Sequence, residues 1–187
     1  ADFSERKGHK TLKYTQGNIH DFAWFASQDY RVVAEKATLE SGKEVMAWAL
    51  FKHKDIDSWR HSAKYVADAL VSFSKWLGDY PYDHCTAVQG PLLAGGGMEY
   101  PMITLDSGKD PGYRGLLIHE IGHMWFFGQV GNNETYRAAL DEGFTQFLTA
   151  WGTEVIEGKY MTRDLTFVDD TLLENKSMGL IQRLNWL

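Results

Sequence analysis

Two histidines four residues apart bracket a glutamate in His119-Glu120-Ile121-Gly122-His123. On a helix that spacing points both imidazoles from one face, where they can hold one ion. Glu120 directly follows the first histidine, so it can reach a water on that ion without binding the ion itself. The competing reading is a solvated polar strip. The flanking residues oppose it: Leu116, Leu117, Ile118, Ile121, Met124, Trp125, Phe126 and Phe127 make the segment apolar almost throughout. Two imidazoles and a carboxylate buried there are costly unless they are paired or bind a metal.

Catalytic zinc takes three protein ligands and keeps a fourth position open. Glu142 lies nineteen residues after His123, within Leu140-Asp141-Glu142-Gly143-Phe144. A helix, a short polar connection over residues 132–135 and a second helix can return that carboxylate to the same ion. Two neutral imidazoles and one carboxylate leave a zinc site with a net charge of about +1, so the metal stays electrophilic. A solvated carboxylate at a helix start, favoured by the macrodipole, is the alternative for Glu142. Its neighbours Phe144, Phe147, Leu148 and Trp151 favour a largely buried helix instead. The expectation is one zinc per chain on His119, His123 and Glu142, with Glu120 acting on water.

A second cluster is Gly95-Gly96-Gly97-Met98-Glu99-Tyr100-Pro101. The glycines let backbone come close to a ligand or take positive φ. An extended segment after them can pair with a peptide as an added strand. Glu99 offers a carboxylate to a cation such as a free α-amine. A surface loop with an incidental glutamate is the plainer reading of this cluster on its own.

These groups need a frame. Residues 17–27, 30–39 and 44–51 have strand-like composition, with Ser41-Gly42-Lys43 as a turn between the last two. Residues 58–77 carry apolar positions at helical spacing, followed by Gly78 as a cap and Pro81 beyond. Residues 83–89 and 98–105 read as extended. A helix is expected over 110–127, closed by Gly128, another over 136–151 and a fourth within 160–175. Strands come first and helices second, which predicts an α+β arrangement.

Composition limits the options. The 187 residues are 44% hydrophobic and 24% charged, as in a folded globular protein. A net charge of −6 makes nucleic acid a poor partner. No apolar stretch reaches the roughly 18 residues a membrane span requires. Cys85 is the only cysteine, so no internal disulfide forms; it reads as a small buried hydrophobe. His9, His20, His53, His61 and His84 lack ligand spacing. The chain starts without Met and ends at Leu187 without a polar tail, which suggests a portion of a longer protein.

HExxH followed by eighteen residues and Glu is the gluzincin pattern. With Gly96-Gly97-Met98-Glu99 upstream, the sequence resembles the aminopeptidase N family of zinc metallopeptidases. Pro81-Tyr82, Trp125-Phe126, Asp141-Glu142-Gly143-Phe144 and Asp21-Phe22-Ala23-Trp24-Phe25-Ala26 extend the resemblance over most of the chain. It implies a thermolysin-like catalytic domain over residues 27–187, lacking its carboxyl-terminal lobe, with residues 1–26 left from an amino-terminal β domain. It implies zinc on His119, His123 and Glu142, and Glu120 as general base and then proton donor. It also implies Glu99 as the anchor for a peptide's free amino terminus, with Gly96, Gly97 and Met98 lining the substrate backbone.

Two departures bear on activity. Tyr100 replaces the family's Asn, and the family's oxyanion-stabilising tyrosine belongs further downstream than residue 187. Tyr136 and Tyr160 both lie too early to match it. An aminopeptidase, an endopeptidase with the same zinc chemistry and a zinc-binding fragment without turnover all remain compatible with the sequence.

Overall fold

The computed structural model describes residues 2–6, 8–92, 96–110 and 112–158. Strands β1 (Asp2–Arg6) and β2 (His9–Lys13) form a hairpin separate from the main sheet. β3 (Tyr30–Thr38) and β4 (Glu44–Lys52) pair antiparallel, with Tyr30 opposite Lys52 and Thr38 opposite Glu44. Val45, Ala47, Ala49 and Phe51 of β4 are buried while the residues between them are half-buried. That alternation is the period-two signature of a sheet with one face on a core.

The expected helix over 58–77 is divided. α1 (Ile56–Trp59) gives way at Arg60-His61 to α2 (Ser62–Leu77). Ser62 Oγ bridges the break by donating to the Trp59 carbonyl at 2.6 Å. Val66, Ala69, Leu70 and Phe73 form the buried stripe of α2. Gly78, at φ +98°, then turns the chain out of the helix, and its N–H bonds Ser74 O at 3.0 Å.

α2 is also a crossover. It carries the chain to β5 (His84–Gln89), which lies parallel to β4, as a helical connection permits. β6 (Gly97–Met98) and β7 (Ile103–Asp106) are antiparallel to each other, and β7 is parallel to β5. The sheet order is β3-β4-β5-β7-β6. The result is a mixed sheet. The extended piece expected over 98–105 folds into the β6–β7 hairpin, because Ile103 N bonds Tyr100 O at 3.0 Å and Met102 takes φ +69°.

Residues 17–27 do not form a strand. Among the described residues no backbone ladder reaches them, and a strand needs such a partner. Phe22 and Trp24 are exposed, while the Asn18 carbonyl accepts from Tyr82 Oη at 2.6 Å.

α3 (Tyr113–Gly122) ends five residues before the expected stop at Phe127. Met124 and Trp125 N–H groups turn to carbonyls three residues back, and Gly128 N bonds His123 O. Packing explains the early stop: Met124 and Trp125 bury fully, and Trp125 Nε1 reaches the Gly78 carbonyl at 3.0 Å. The next helix starts later than residue 136. A single π-helical turn, Ala139–Gly143, leads directly into α4 (Phe144–Glu157). The helix expected within 160–175 falls outside the described residues.

Three close contacts lock the helices around the site. Trp59 stacks on Tyr113 with ring centroids 4.5 Å apart, holding α1 to the start of α3. A Cβ on Gly122 would lie 3.1 Å from Thr145 Cγ2, so α3 rests directly on α4. A Cβ on Gly152 would lie 2.9 Å from Ile118 Cγ2 and 3.1 Å from Phe73 Cζ, which ties α4 to α2 as well. No helix among the described residues is long and apolar enough to cross a membrane.

Candidate metal centre

α3 presents His119 and His123 one turn apart, and the π-helical turn before α4 brings Asp141 and Glu142 opposite them. His119 Nε2 lies 3.1 Å from His123 Nε2 and 3.2 Å from Glu142 Oε2; the third side, His123 Nε2 to Glu142 Oε2, is 3.6 Å. A tetrahedral zinc with ligand bonds of roughly 2.0–2.2 Å has ligand-to-ligand edges of about 3.3–3.6 Å. The triangle therefore has the size of one face of such a site.

The other ring nitrogens fix the tautomers. His119 Nδ1 lies 2.9 Å from Thr149 Oγ1, and that hydroxyl already donates to Thr145 O at 2.7 Å. It can only accept from His119, so Nδ1 carries the proton. His123 Nδ1 contacts Asp141 Oδ1, a carboxylate that accepts in the same way. Both Nε2 atoms are left as bare lone pairs, aimed at one another and at a carboxylate oxygen. Three converging electron pairs with no proton between them repel unless a cation joins them, so the donor set fits a metal.

Glu120 projects from the same helix turn and is 3% exposed. Burial, followed by the negative charges of Asp106, Glu99, Glu142 and Asp141, pushes its pKa up to about 9. Its Oε2 is buried with no partner among the described residues. The space around its carboxylate is set by Gly97, where a Cβ would fall 2.3 Å from Glu120 Oε1. No other residue type fits there without moving the carboxylate. The sequence reading gave Gly97 to a substrate backbone; in the structure its close neighbour is Glu120.

Gly96 is exposed, and its carbonyl is held by Ser107 through both N–H (3.2 Å) and Oγ (2.6 Å). Met98 pairs with Leu105 across the β6–β7 hairpin. Glu99 is 7% exposed, and burial raises its pKa. One carboxylate oxygen of Glu99, one of Asp141 and one ring nitrogen of His123 lie within 4.8 Å of one another. Glu99 thus belongs to the same compartment as the histidines.

The remaining charges follow from these neighbours. The neighbouring His119 ring, ahead of His123, holds the Glu142 carboxyl below its usual range. Burial lowers the His123 pKa and lifts Asp141 to about 6. Cys85 is fully buried, and burial pushes its thiol up to about 12, as expected of an inert core residue. Tyr136 is 76% exposed and takes no part in the cluster.

Sequence reading assigned no role to Asp141, Thr149 or Asp106. Asp141 had a signal, as a second acid beside Glu142 in an apolar segment. Thr149 had a weaker one, as a hydroxyl four residues after Thr145 on the same helix. Asp106 had none, because only the hairpin brings it near Glu120.

No known family profile and no curated protein sequence matches the chain. Solved structures match its fold. An M1 zinc metallopeptidase from Deinococcus radiodurans superposes with a TM-score of 0.52 at 17% identity, over 68% of this chain and 29% of that one. A Legionella pneumophila aminopeptidase A in complex with aspartic acid gives 0.59 at 16% identity, over 67% of this chain and 16% of the other. A Deinococcus radiodurans M1 zinc metallopeptidase variant bound to a Tyr-Ser-Ala substrate gives 0.53 at 16% identity. The chain thus spans less than a third of the length of these proteins. What it has in common with them is the mixed α and β fold of an M1 zinc peptidase domain.

Proposed function

We propose that this chain carries the zinc centre of a thermolysin-like peptidase domain and that the centre removes amino-terminal residues from peptides. The observation that carries the reading is the convergence of His119 Nε2, His123 Nε2 and Glu142 Oε2 within 3.1–3.6 Å, with both Nδ1 protons already committed. M1 zinc metallopeptidases with the same fold, one of them bound to a tripeptide, support the substrate class. The separate β1–β2 hairpin supports assigning residues 1–26 to a preceding β domain.

Zinc held by these three side chains would act as a Lewis acid, lowering the pKa of water and polarising a peptide carbonyl. Glu120 accepts the proton of the attacking water and passes it to the departing amine. Its buried, acid-rich surroundings favour the proton-holding state between those two transfers. Gly97 keeps the Glu120 carboxylate in place by leaving no room for another side chain. Thr149 and Asp141 hold the two imidazoles in the tautomer that binds metal. Glu99 supplies a buried negative charge for a peptide's free ammonium, which sets cleavage at the first peptide bond.

The test is zinc content together with hydrolysis. The chain should hold close to one zinc, and Glu142→Ala should lose most of it. Glu120→Gln should keep the zinc and lose hydrolysis by about 10²–10⁴-fold. A free-amine peptide should be cleaved in preference to its N-acetylated form, and Glu99→Ala should remove that preference. Zinc retained in full by Glu142→Ala would overturn the ligand set. Equal cleavage of the acetylated peptide would favour an endopeptidase. Full zinc without any hydrolysis would leave a metal-binding unit only.

A further inference from the structure

Leu140, Phe144, Phe147, Trp151 and Val155 form an exposed stripe along the π-helical turn and α4. Leu77 at the end of α2 and Phe126 beyond α3 face that stripe across a groove of about 540 Å³. Stacked rings fix its walls: Phe126 on Phe144 with centroids 4.9 Å apart, and Trp76 on Trp151 at 3.8 Å. The metal centre meets α4 on its other side, at Thr149, so the groove belongs to none of the roles above. A contiguous row of large apolar side chains in water costs stability, and a folded domain normally covers one.

The chain that follows α4 indicates what covers it. α4 ends at Gly158 in the left-handed conformation, with φ +64°. Such a residue after a helix reverses the chain, and a short connection there leads into an antiparallel neighbour. Residues 159–187 lie outside the described residues, but their sequence carries a pattern. Met161, Leu165, Val168 and Leu172 recur at helical spacing, with Arg163, Asp170 and Glu174 on the opposite side. Met161 to Leu172 is the same eleven-residue step as Phe144 to Val155. Laid antiparallel, the two stripes meet in register: Met161 at Val155, Leu165 at Trp151, Val168 at Phe147 and Leu172 at Phe144. A second copy would have to reach the groove from free solution. A segment tethered through Gly158 and Lys159 has an effective concentration on the order of millimolar, which favours it.

We propose that residues 160–175 of the same chain dock in this groove, antiparallel to α4. They cover the aromatic stripe and brace from behind the helix that carries Thr149 to His119.

The experiment is disulfide trapping in the full zinc-loaded chain with oxidised glutathione, read by mass spectrometry of proteolytic fragments. Phe147→Cys with Val168→Cys should form an intrachain disulfide about tenfold faster than Phe147→Cys with Asp170→Cys, because only the first pair brings the two Cβ atoms within bonding range. Cys85 is fully buried and stays a bystander. Zinc content reports that each variant is folded. If the cysteine pairs fail to fold, hydrophobic-dye binding makes the same distinction. Val168→Asp should open the groove and raise dye binding severalfold over the parent chain, while Asp170→Ser should not. Equal trapping at positions 168 and 170 overturns the proposal. So do disulfides formed mainly between chains, which would place a second copy on the groove. A parent chain that binds dye as strongly as Val168→Asp overturns it as well.

Discussion

Two faces of one helix depart from the usual polarity of a folded domain in opposite directions. The inward side of the π-helical turn and α4 buries Asp141 and Thr149 and half-buries Glu142 beside two histidines. The outward side exposes Leu140, Phe144, Phe147, Trp151 and Val155, at three- and four-residue spacing. Phe144 and Phe147 join Leu77, Phe126, Leu148 and Trp151 around a groove of about 540 Å³. Buried acids and exposed aromatics both cost stability in isolation. On the inward side Asp141, Glu142 and Thr149 each face a histidine nitrogen with a stated geometry, and together they define one ligand. The outward side has area but almost no directional chemistry, and defines none. Function is legible where a costly arrangement is also a directional one.

The sharpest way to test the contrast is pH. In the zinc-free chain burial raises Asp106 to about 7, Glu120 to about 9 and Asp141 to about 6. An acid whose pKa is raised on folding binds more protons in the native state, so stability falls as pH rises from its unfolded to its folded pKa. Thermal unfolding of the zinc-free chain should therefore weaken from about pH 4 to pH 9 by several kcal/mol, with Asp106 alone contributing on the order of 4. Asp106→Asn should flatten the stretch between about pH 4 and pH 7. A zinc-free chain equally stable at both ends would mean that these acids are not buried as described.

A smaller effect separates position from charge. Gly97→Ala should displace the Glu120 carboxylate and lower hydrolysis by about 10²-fold, since a shift of about 1 Å at a reacting group costs that much. Zinc content should hardly change, and an assay of both quantities on one sample decides it. Next comes ligand orientation. Thr149→Val leaves the His119 tautomer unfixed and should weaken zinc binding by about 10–100-fold, read by competition with a chelator. Unchanged affinity would mean that the hydroxyl does not orient the imidazole.

The outward face should give the smallest response. Phe147→Ser, in the apolar groove, should lower stability by only about 1 kcal/mol. Zinc affinity should stay the same, while binding of a hydrophobic dye should rise. A large loss of zinc in this variant would show that the two faces are not independent.

Much of this site is readable from spacing. His119, His123 and Glu120 are local to one helix, so their relation follows from 3.6 residues per turn. Glu142 needed only a short connection and a second helix. The strand pair from Tyr30 to Lys52 was readable for the same reason, as a period-two pattern with a turn inside it. The misread parts depend on distant partners. Residues 17–27 are apolar enough for a strand, yet find no ladder among the described residues. The end of α3 is decided by where Trp125 can reach Gly78, forty-seven residues away. Asp106 looks like any strand-end acid until β6 folds back over it.

The π-helical turn at Ala139–Gly143 gives this region a fixed length requirement. Neighbours in a regular α-helix are rotated by about 100°, so one residue fewer would turn everything beyond it by that angle. Asp141 and Glu142 are consecutive, yet they serve different histidines, and the wider turn is where both do so. Deleting Leu140 alone would keep every functional side chain in the sequence. It would also take one acid away from its imidazole and rotate Thr149 off His119. Outside Asp141 and Glu142 the segment therefore tolerates substitutions much better than deletions, and length variants there are a more severe probe of the centre than most point changes.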